Sequence, residues 1–211
     1  MSDPGGRPED ELRRRDRVFL RVLEGRLAEG AARAGARLVC RLGCTECCRG
    51  PFAINRLDEQ RLRDGWATLA ASDPARAQAV RARAQEAVAA MVATFPGHVA
   101  SGRLAEDDSA QDVFFSRFGE APCPALDPAT GGCALYAWRP VSCRTYGLPL
   151  RLGLDDLPPC RLCFVGAAAE EVEACRVDPD PGGEEDVVLT LLERRSRSDG
   201  STIVAFALAR A

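Results

Sequence analysis

Four of the ten cysteines in this 211-residue chain stand within nine residues, in the stretch 40–48 that reads CRLGCTECC. Thiols packed this closely pair as disulfides, hold a metal or carry redox chemistry. A second run, CPALDPATGGCALYAWRPVSC, ends at Cys143, and Cys160-x-x-Cys163 follows it. Cys44-x-x-Cys47 and Cys160-x-x-Cys163 share the spacing that lets a tight turn present two sulfurs to one ion, whether Zn²⁺ or the iron of an iron–sulfur cluster. The candidate metal ligands are therefore Cys40, Cys44, Cys47, Cys48, Cys123, Cys133, Cys143, Cys160 and Cys163. Cys47 and Cys48 are adjacent, and neighbouring side chains diverge, so they are expected to face different metals, or only one of them to be a ligand. The sulfurs suffice for two four-coordinate sites or for one site and spare thiols.

The remaining chemistry-bearing residues narrow the choices. Cys175, on an expected helix with no cysteine near it in sequence, reads as a small buried hydrophobe. The sole histidine, His98, follows a Pro-Gly turn and is expected in an exposed loop, which weighs against a histidine general base. Arg41, Arg49, Arg139 and Arg144 lie beside cysteines. Four thiolates on Zn²⁺ leave a charge of about −2, and Arg139 and Arg144 are the two expected to offset it, the others being ordinary surface charge.

Composition sets the background. Every one of the 28 basic side chains is arginine; without lysine there is neither a Walker phosphate lysine nor a Schiff-base lysine. A formal net charge of −3 argues against nucleic acid as the main partner. The N-terminus mixes acids and arginines where a secretory signal would need an apolar core, and no apolar run approaches the ~18 residues of a membrane span. A cytoplasmic protein with no membrane partner is expected, and in that reducing compartment cysteines serve as ligands or redox thiols. Aromatic content is only 6%, so Leu, Val and Ala must build the core, with metal as a plausible folding staple.

Helices must position these thiols. Residues 1–8 read as a disordered leader, and 9–211 as a single cysteine-cluster domain carrying a helical insert over 57–118. Leu12, Val18, Phe19, Val22, Leu23 and Leu27 approximate the apolar stripe of a helix running to about Gly35. Asn55 with Asp58 resembles an N-cap with its reciprocal acid; Ser72-Asp-Pro74 stops that helix and caps the next, which runs from Ala75 to about Thr94. Ser109-Ala-Gln-Asp112 is a third capping pattern. Residues 123–163 are too rich in Pro and Gly for long regular elements. Helices are expected over 167–176 and 184–195, and the closing TIVAFALARA fits strand or helix equally. The fold class is mainly α, with helices packed around an irregular, loop-rich cysteine and metal core.

CRLGCTECC followed by CPALDPATGGCALYAWRPVSCRTY resembles the CxxCxxCC cysteine-cluster proteins, the YkgJ-like family of zinc- or iron-chelating proteins, over about residues 40–58 and 122–147. The resemblance implies that Cys40, Cys44, Cys47, Cys48, Cys123, Cys133 and Cys143 share a metal-binding core, completed by Cys160 or Cys163. The leading expectation is thus a metal-binding protein holding zinc or an iron–sulfur cluster (4Fe-4S), with an unidentified protein partner conceivable. A second reading is an enzyme. Cys40-x-x-x-Cys44-x-x-Cys47 has the spacing of the radical S-adenosylmethionine motif, and some relatives of the family are linked to methylation of protein lysines. Glu46 stands where those enzymes place an aromatic, and no βα alternation is visible to build their barrel. A third reading is a zinc-stapled interaction module that binds an acidic partner through arginine-rich helices.

Overall fold

The computed structural model describes residues 8–211. Most of the leader expected over 1–8 therefore lies outside the described residues. Among the described residues, eight α-helices and three two-stranded antiparallel pairs make the fold mainly α. The chain divides into two compact units, each assembled from separated segments: unit 1 from residues 1–41 and 142–197, unit 2 from 42–141 and 198–211.

Unit 1 is organised on α1 (Pro8–Ala34), which packs against α7 (Glu184–Ser196). Leu12, Phe19, Leu23 and Leu27 are buried, at spacings of seven, four and four that keep them in one stripe. Val18 and Val22, expected in that stripe, are 51% and 53% exposed, because they fall about 100° away around the helix. Arg15 and Glu184 tie the two helices at 2.8 Å. Gly30 lets Val177 close on α1, since a Cβ there would stand 2.4 Å from a Val177 methyl. The rest of the unit comprises α5 (Val141–Thr145), which starts at the segment boundary, the hairpin β4 (Leu150–Leu152) with β5 (Asp155–Leu157), and α6 (Ala169–Ala174). Cys175 follows α6 and is buried.

Unit 2 is built on α2 (Arg56–Ser72), α3 (Pro74–Met91) and α8 (Val204–Ala209). VAFALA is apolar on all sides, and such a helix is stable only when covered all round. α8 is accordingly buried from Val204 to Leu208 and packs on both α2 and α3. The alanines of α3 allow the close approach: Ala84 and Val80 pack with Leu62, Ala207 and Leu208. A second cluster stacks Phe95 on Phe206 with ring centroids 4.5 Å apart and sets Phe114 of α4 (Asp108–Arg117) edge-on to Phe95 at 5.7 Å. The ambiguous C-terminus is both strand and helix: β6 (Thr202–Ile203) pairs with β1 (Ala53–Ile54), Ala53 opposite Ile203, before α8 begins. β2 (Gly97–His98) pairs with β3 (Arg103–Leu104), and His98 is exposed, its ring held by Ser101 at 2.9 Å.

The capping signals are sound in two cases and displaced in the third. Asn55 Oδ1 accepts from Asp58 N–H at 2.9 Å, and Asp73 Oδ1 accepts from Arg76 N–H at 3.0 Å with Pro74 opening α3. Ahead of α4 the cap is Asp107, which accepts from Ala110 N–H, so helix begins before Ser109. The acidic run EDDS offers several caps, and sequence alone does not rank them.

Candidate metal centre

Unit 2 brings the first cysteine stretch against the second. A 3-10 turn over Glu46–Cys48 closes with Cys48 N–H bonded to Thr45 O at 2.9 Å, and Cys123 N–H then donates to Cys48 O at 2.9 Å. An antiparallel bridge between Arg49 and Pro122 continues the pairing, and Gly50 N–H reaches Ala121 O. Cys133 is tied to the same place by a bridge to Leu126 and by Ala134 N–H donating to Ala125 O at 2.8 Å. The carbonyl of Asp127 accepts from Gly131 N–H, closing a turn that lies against the backbone just before Cys44: a Cβ on Gly131 would be 3.2 Å from Gly43 Cα.

The helices clamp this loop system from behind. Arg83 of α3 donates to Pro124 O at 3.0 Å. Asp58 of α2, itself held by Arg61 at 2.7 Å, accepts from Val141 N–H. Gly65 leaves room for Trp138, whose ring would otherwise meet a Cβ at 2.5 Å. A segment poor in regular structure is thereby fixed by side chains of α2 and α3 just after Cys123 and again after Cys133.

The electrostatics of the four sulfurs are mutually dependent. The Cys48 thiol donates to Cys47, which pulls Cys47 down to about 6, with help from its own N–H and from Arg139, against the opposing cost of burial. Cys48 is driven strongly upward, first by that donated bond, then by burial and by the charges that Cys47, Cys123 and Cys133 would carry. Burial pushes Cys123 up to about 11, opposed by the N–H groups of Ala125 and Leu126. Cys133 is also raised by burial, opposed by Leu135 N–H and by Arg139. Arg139 favours the ionised forms of Cys47 and Cys133, and it is held by stacking 3.8 Å over Tyr136 and by donating to Tyr136 O at 2.7 Å. The buried Arg144, by contrast, is ion-paired with Glu24 in unit 1. Arg49 pairs with exposed Glu120.

The 3-10 turn over Glu46–Cys48 carries Cys47 and Cys48 together, and the ionisation of these two thiols depends on each other and on Cys123, Cys133 and Arg139. Cys44, half-buried, lies on the loop leading into the turn. In unit 1 the structure brings Cys40 and Cys163 to 4.0 Å between sulfurs; Cys163 N–H bonds to Cys160 O at 2.8 Å across the CxxC turn, and Cys143 lies on α5. No disulfide joins the cysteines of the described residues. Among the described residues no three His, Cys, Asp or Glu side chains already surround one point closely enough to hold an ion.

Sequence reasoning missed the groups that present the sulfurs. The N–H donors two residues after Cys123 and Cys133 belong to Ala125 and Leu135, whose side chains carry no sign of the role. Gly147 is another: it has φ +112°, and a Cβ on it would stand 2.7 Å from Cys40 Sγ. The only available signal was the glycine three residues after Arg144.

Residues 39–152, just over half of the chain, match the CxxCxxCC family, described as a putative zinc- or iron-chelating domain. The chain belongs to this family. Relative to the CxxCxxCC spelling, this member has one extra residue between its first two cysteines, Cys40-x-x-x-Cys44. The family match stops short of Cys160, Cys163 and Cys175. No curated protein and no solved structure matches the chain. Among the described residues of this CxxCxxCC member, no helix is long and apolar enough to cross a membrane.

Proposed function

We propose that this CxxCxxCC protein is a cytoplasmic metal-holding protein whose unit 2 binds one ion through Cys47, Cys48, Cys123 and Cys133, with Cys44 the reserve ligand beside them. The observation that carries this reading is the backbone pairing of two distant cysteine stretches, Cys123 N–H to Cys48 O at 2.9 Å with the Arg49–Pro122 bridge beside it, and the ionisation of the four thiols is mutually dependent there. Without a cation, ionising any one of them raises the cost of ionising the next. A divalent ion reverses that sign, which is why coordinating thiols are deprotonated outright. The donor set is all sulfur, which suits Zn²⁺ or iron rather than hard cations. The backbone N–H groups aimed at Cys123 and Cys133 are the partners that coordinated thiolates require. Side-chain rotation of the thiols would complete the coordination.

A single tetrahedral ion asks for less separation between its thiolates than a cluster does. Two thiolates at ~2.3 Å from one tetrahedral Zn²⁺ are about 3.8 Å apart, comparable to a thiol–thiol hydrogen bond. A four-iron cluster holds each thiolate on a different metal atom and so spreads them further. The radical S-adenosylmethionine reading needs Cys40, Cys44 and Cys47 on one cluster, whereas Cys40 has Cys163 as its neighbour and Cys47 has Cys48. Bound in unit 2, the ion would cross-link loops that few backbone ladders hold.

Anaerobic purification, elemental analysis and a visible spectrum test the proposal. Colourless protein with stoichiometric zinc that C123S/C133S loses is the expected result. Brown protein containing inorganic sulfide would replace the single ion with a cluster, and metal content unchanged in C123S/C133S would refute the site.

A further inference from the structure

We infer that unit 1 carries a peroxide-sensitive thiol pair, in which a small hydroperoxide oxidises exposed Cys40 and buried Cys163 resolves the product as a reversible Cys40–Cys163 disulfide. The inference does not rest on the ion proposed for unit 2, because neither sulfur belongs to that set.

Packing alone brings the two thiols together. Their sulfurs stand 4.0 Å apart across 123 residues of sequence, in contact but well beyond the ~2.05 Å of an S–S bond. Cys40 lies in the stretch 38–41, which has no regular secondary structure, so side-chain rotation with a small shift of that stretch closes the gap. Two backbone anchors keep the partners in place. Phe164 N–H donates to Arg37 O at 2.9 Å, one residue after Cys163 and three before Cys40, and Cys160 N–H donates to Gly147 O at 3.4 Å.

Two unusual backbone conformations flank the contact. Gly147 has φ +112°, and its missing Cβ is what lets Cys40 approach, since a side chain would stand 2.7 Å from that sulfur. Phe164, 5% exposed, has φ +55°, a left-handed conformation that is an outlier for a bulky residue. Strain of this kind persists where the surroundings over-determine it, and it clusters at functional sites. Here it turns the chain immediately after Cys163.

Exposure sets the order of events. Cys40 is exposed and Cys163 is only 4% exposed, so an oxidant in solution meets Cys40 first. The Cys40 thiolate attacks one peroxide oxygen; the O–O bond breaks, an S–O bond forms, and the leaving hydroxide takes a proton to become water. Cys163 then attacks the Cys40 sulfur. The S–O bond breaks, the S–S bond forms and a second water departs, so two thiols lose two electrons and one hydrogen peroxide is reduced to two waters. A dithiol reductant restores both thiols by exchange, entering at the exposed Cys40 sulfur. The bond ties the end of the first segment of unit 1, residues 1–41, to the second, residues 142–197.

The test treats the reduced full chain with hydrogen peroxide, blocks remaining thiols with iodoacetamide and maps tryptic peptides without reduction. Because arginine is the only basic cleavage point, LVCR (38–41), LGLDDLPPCR (152–161) and LCFVGAAAEEVEACR (162–176) separate cleanly. The expected product is LVCR joined through Cys163 to the 162–176 peptide, lighter by two hydrogen atoms than the separate thiols and released by dithiothreitol. In C163S, the expected product is a Cys40 sulfenic acid captured by dimedone, with that cross-link lost. Cys40 oxidised while Cys163 stays a thiol, or Cys163 joined to Cys160 in place of Cys40, would overturn the inference. Should C163S not fold, the wild-type map decides. Zinc measured in the same samples separates this pair from the metal centre. Zinc set free from treated wild type but retained by treated C40S would make these thiols ligands and overturn the pair, whereas equal zinc in the two supports it. Protein without zinc would remove the ion of unit 2 and leave the cross-link result to stand by itself.

Discussion

The two thiol sets use one chemistry in two mechanical settings. In unit 2, Cys48, Cys123 and Cys133 are sewn together by backbone bonds, and side chains of α2 and α3 brace the loops through Pro124, Trp138 and Val141. In unit 1, Cys40 sits at the surface and meets Cys163 across a glycine. On the proposed reading, an ion held by the packed frame of unit 2 would contribute to folding, whereas the surface thiol of unit 1 is open to reagents from solution.

This contrast can be broken most severely at unit 2. Because structural zinc is worth ~10–16 kcal/mol of apparent binding free energy, C123S/C133S is expected to lower the stability of the zinc-loaded protein more than any single core truncation. Urea unfolding followed by circular dichroism measures it, and a loss no larger than that of C160S/C163S would erase the distinction between the two thiol sets. Next in size is Leu208→Ala. The side chain is fully buried between α8 and its neighbours, so truncation should cost ~2–5 kcal/mol while leaving metal stoichiometry intact.

Gly147→Ala should be milder in stability, at ~1–3 kcal/mol, because it forces a strained φ. It should nevertheless change the alkylation rate of Cys40, since the new methyl displaces that thiol from Cys163. Equal changes at Cys40 and at Cys123 would remove Gly147 as a device of one thiol pair. The smallest effect leaves the fold untouched. In metal-free protein Cys47, lowered to about 6, is a thiolate at pH 7, whereas Cys123, pushed up to about 11, is not. Alkylation of Cys47 should therefore proceed at neutral pH and fall as pH drops through 6, and Cys123 should react only in alkali. Mass spectrometry of labelled peptides across pH 5–10 measures this order.

The helices were legible because their signals are local. The spacing of Leu12, Phe19, Leu23 and Leu27, the Asn55 and Asp73 caps and the proline at 74 each act within a turn or two of chain. The cap of α4 was misplaced by two residues because Asp107, Asp108 and Ser109 compete on nearly equal chemistry. TIVAFALARA could not be assigned because its pairing partner, Ala53–Ile54, is about 150 residues away in sequence, and an all-apolar segment has no periodicity to read.

For the candidate site, the cysteine types and spacings alone identified thiolate chemistry, the nine candidate sulfurs and the family. Side-chain softness and CxxC turns are properties of short stretches. Which stretch meets which was decided only by tertiary structure: Cys48 O takes the N–H of Cys123, and the Cys40 thiol lies beside that of Cys163. Those meetings depend on a glycine with positive φ, on backbone N–H groups that any residue supplies, and on helices that brace a loop from far along the chain. None of these leaves a mark in residue type, because contact between distant segments is a property of the packed chain.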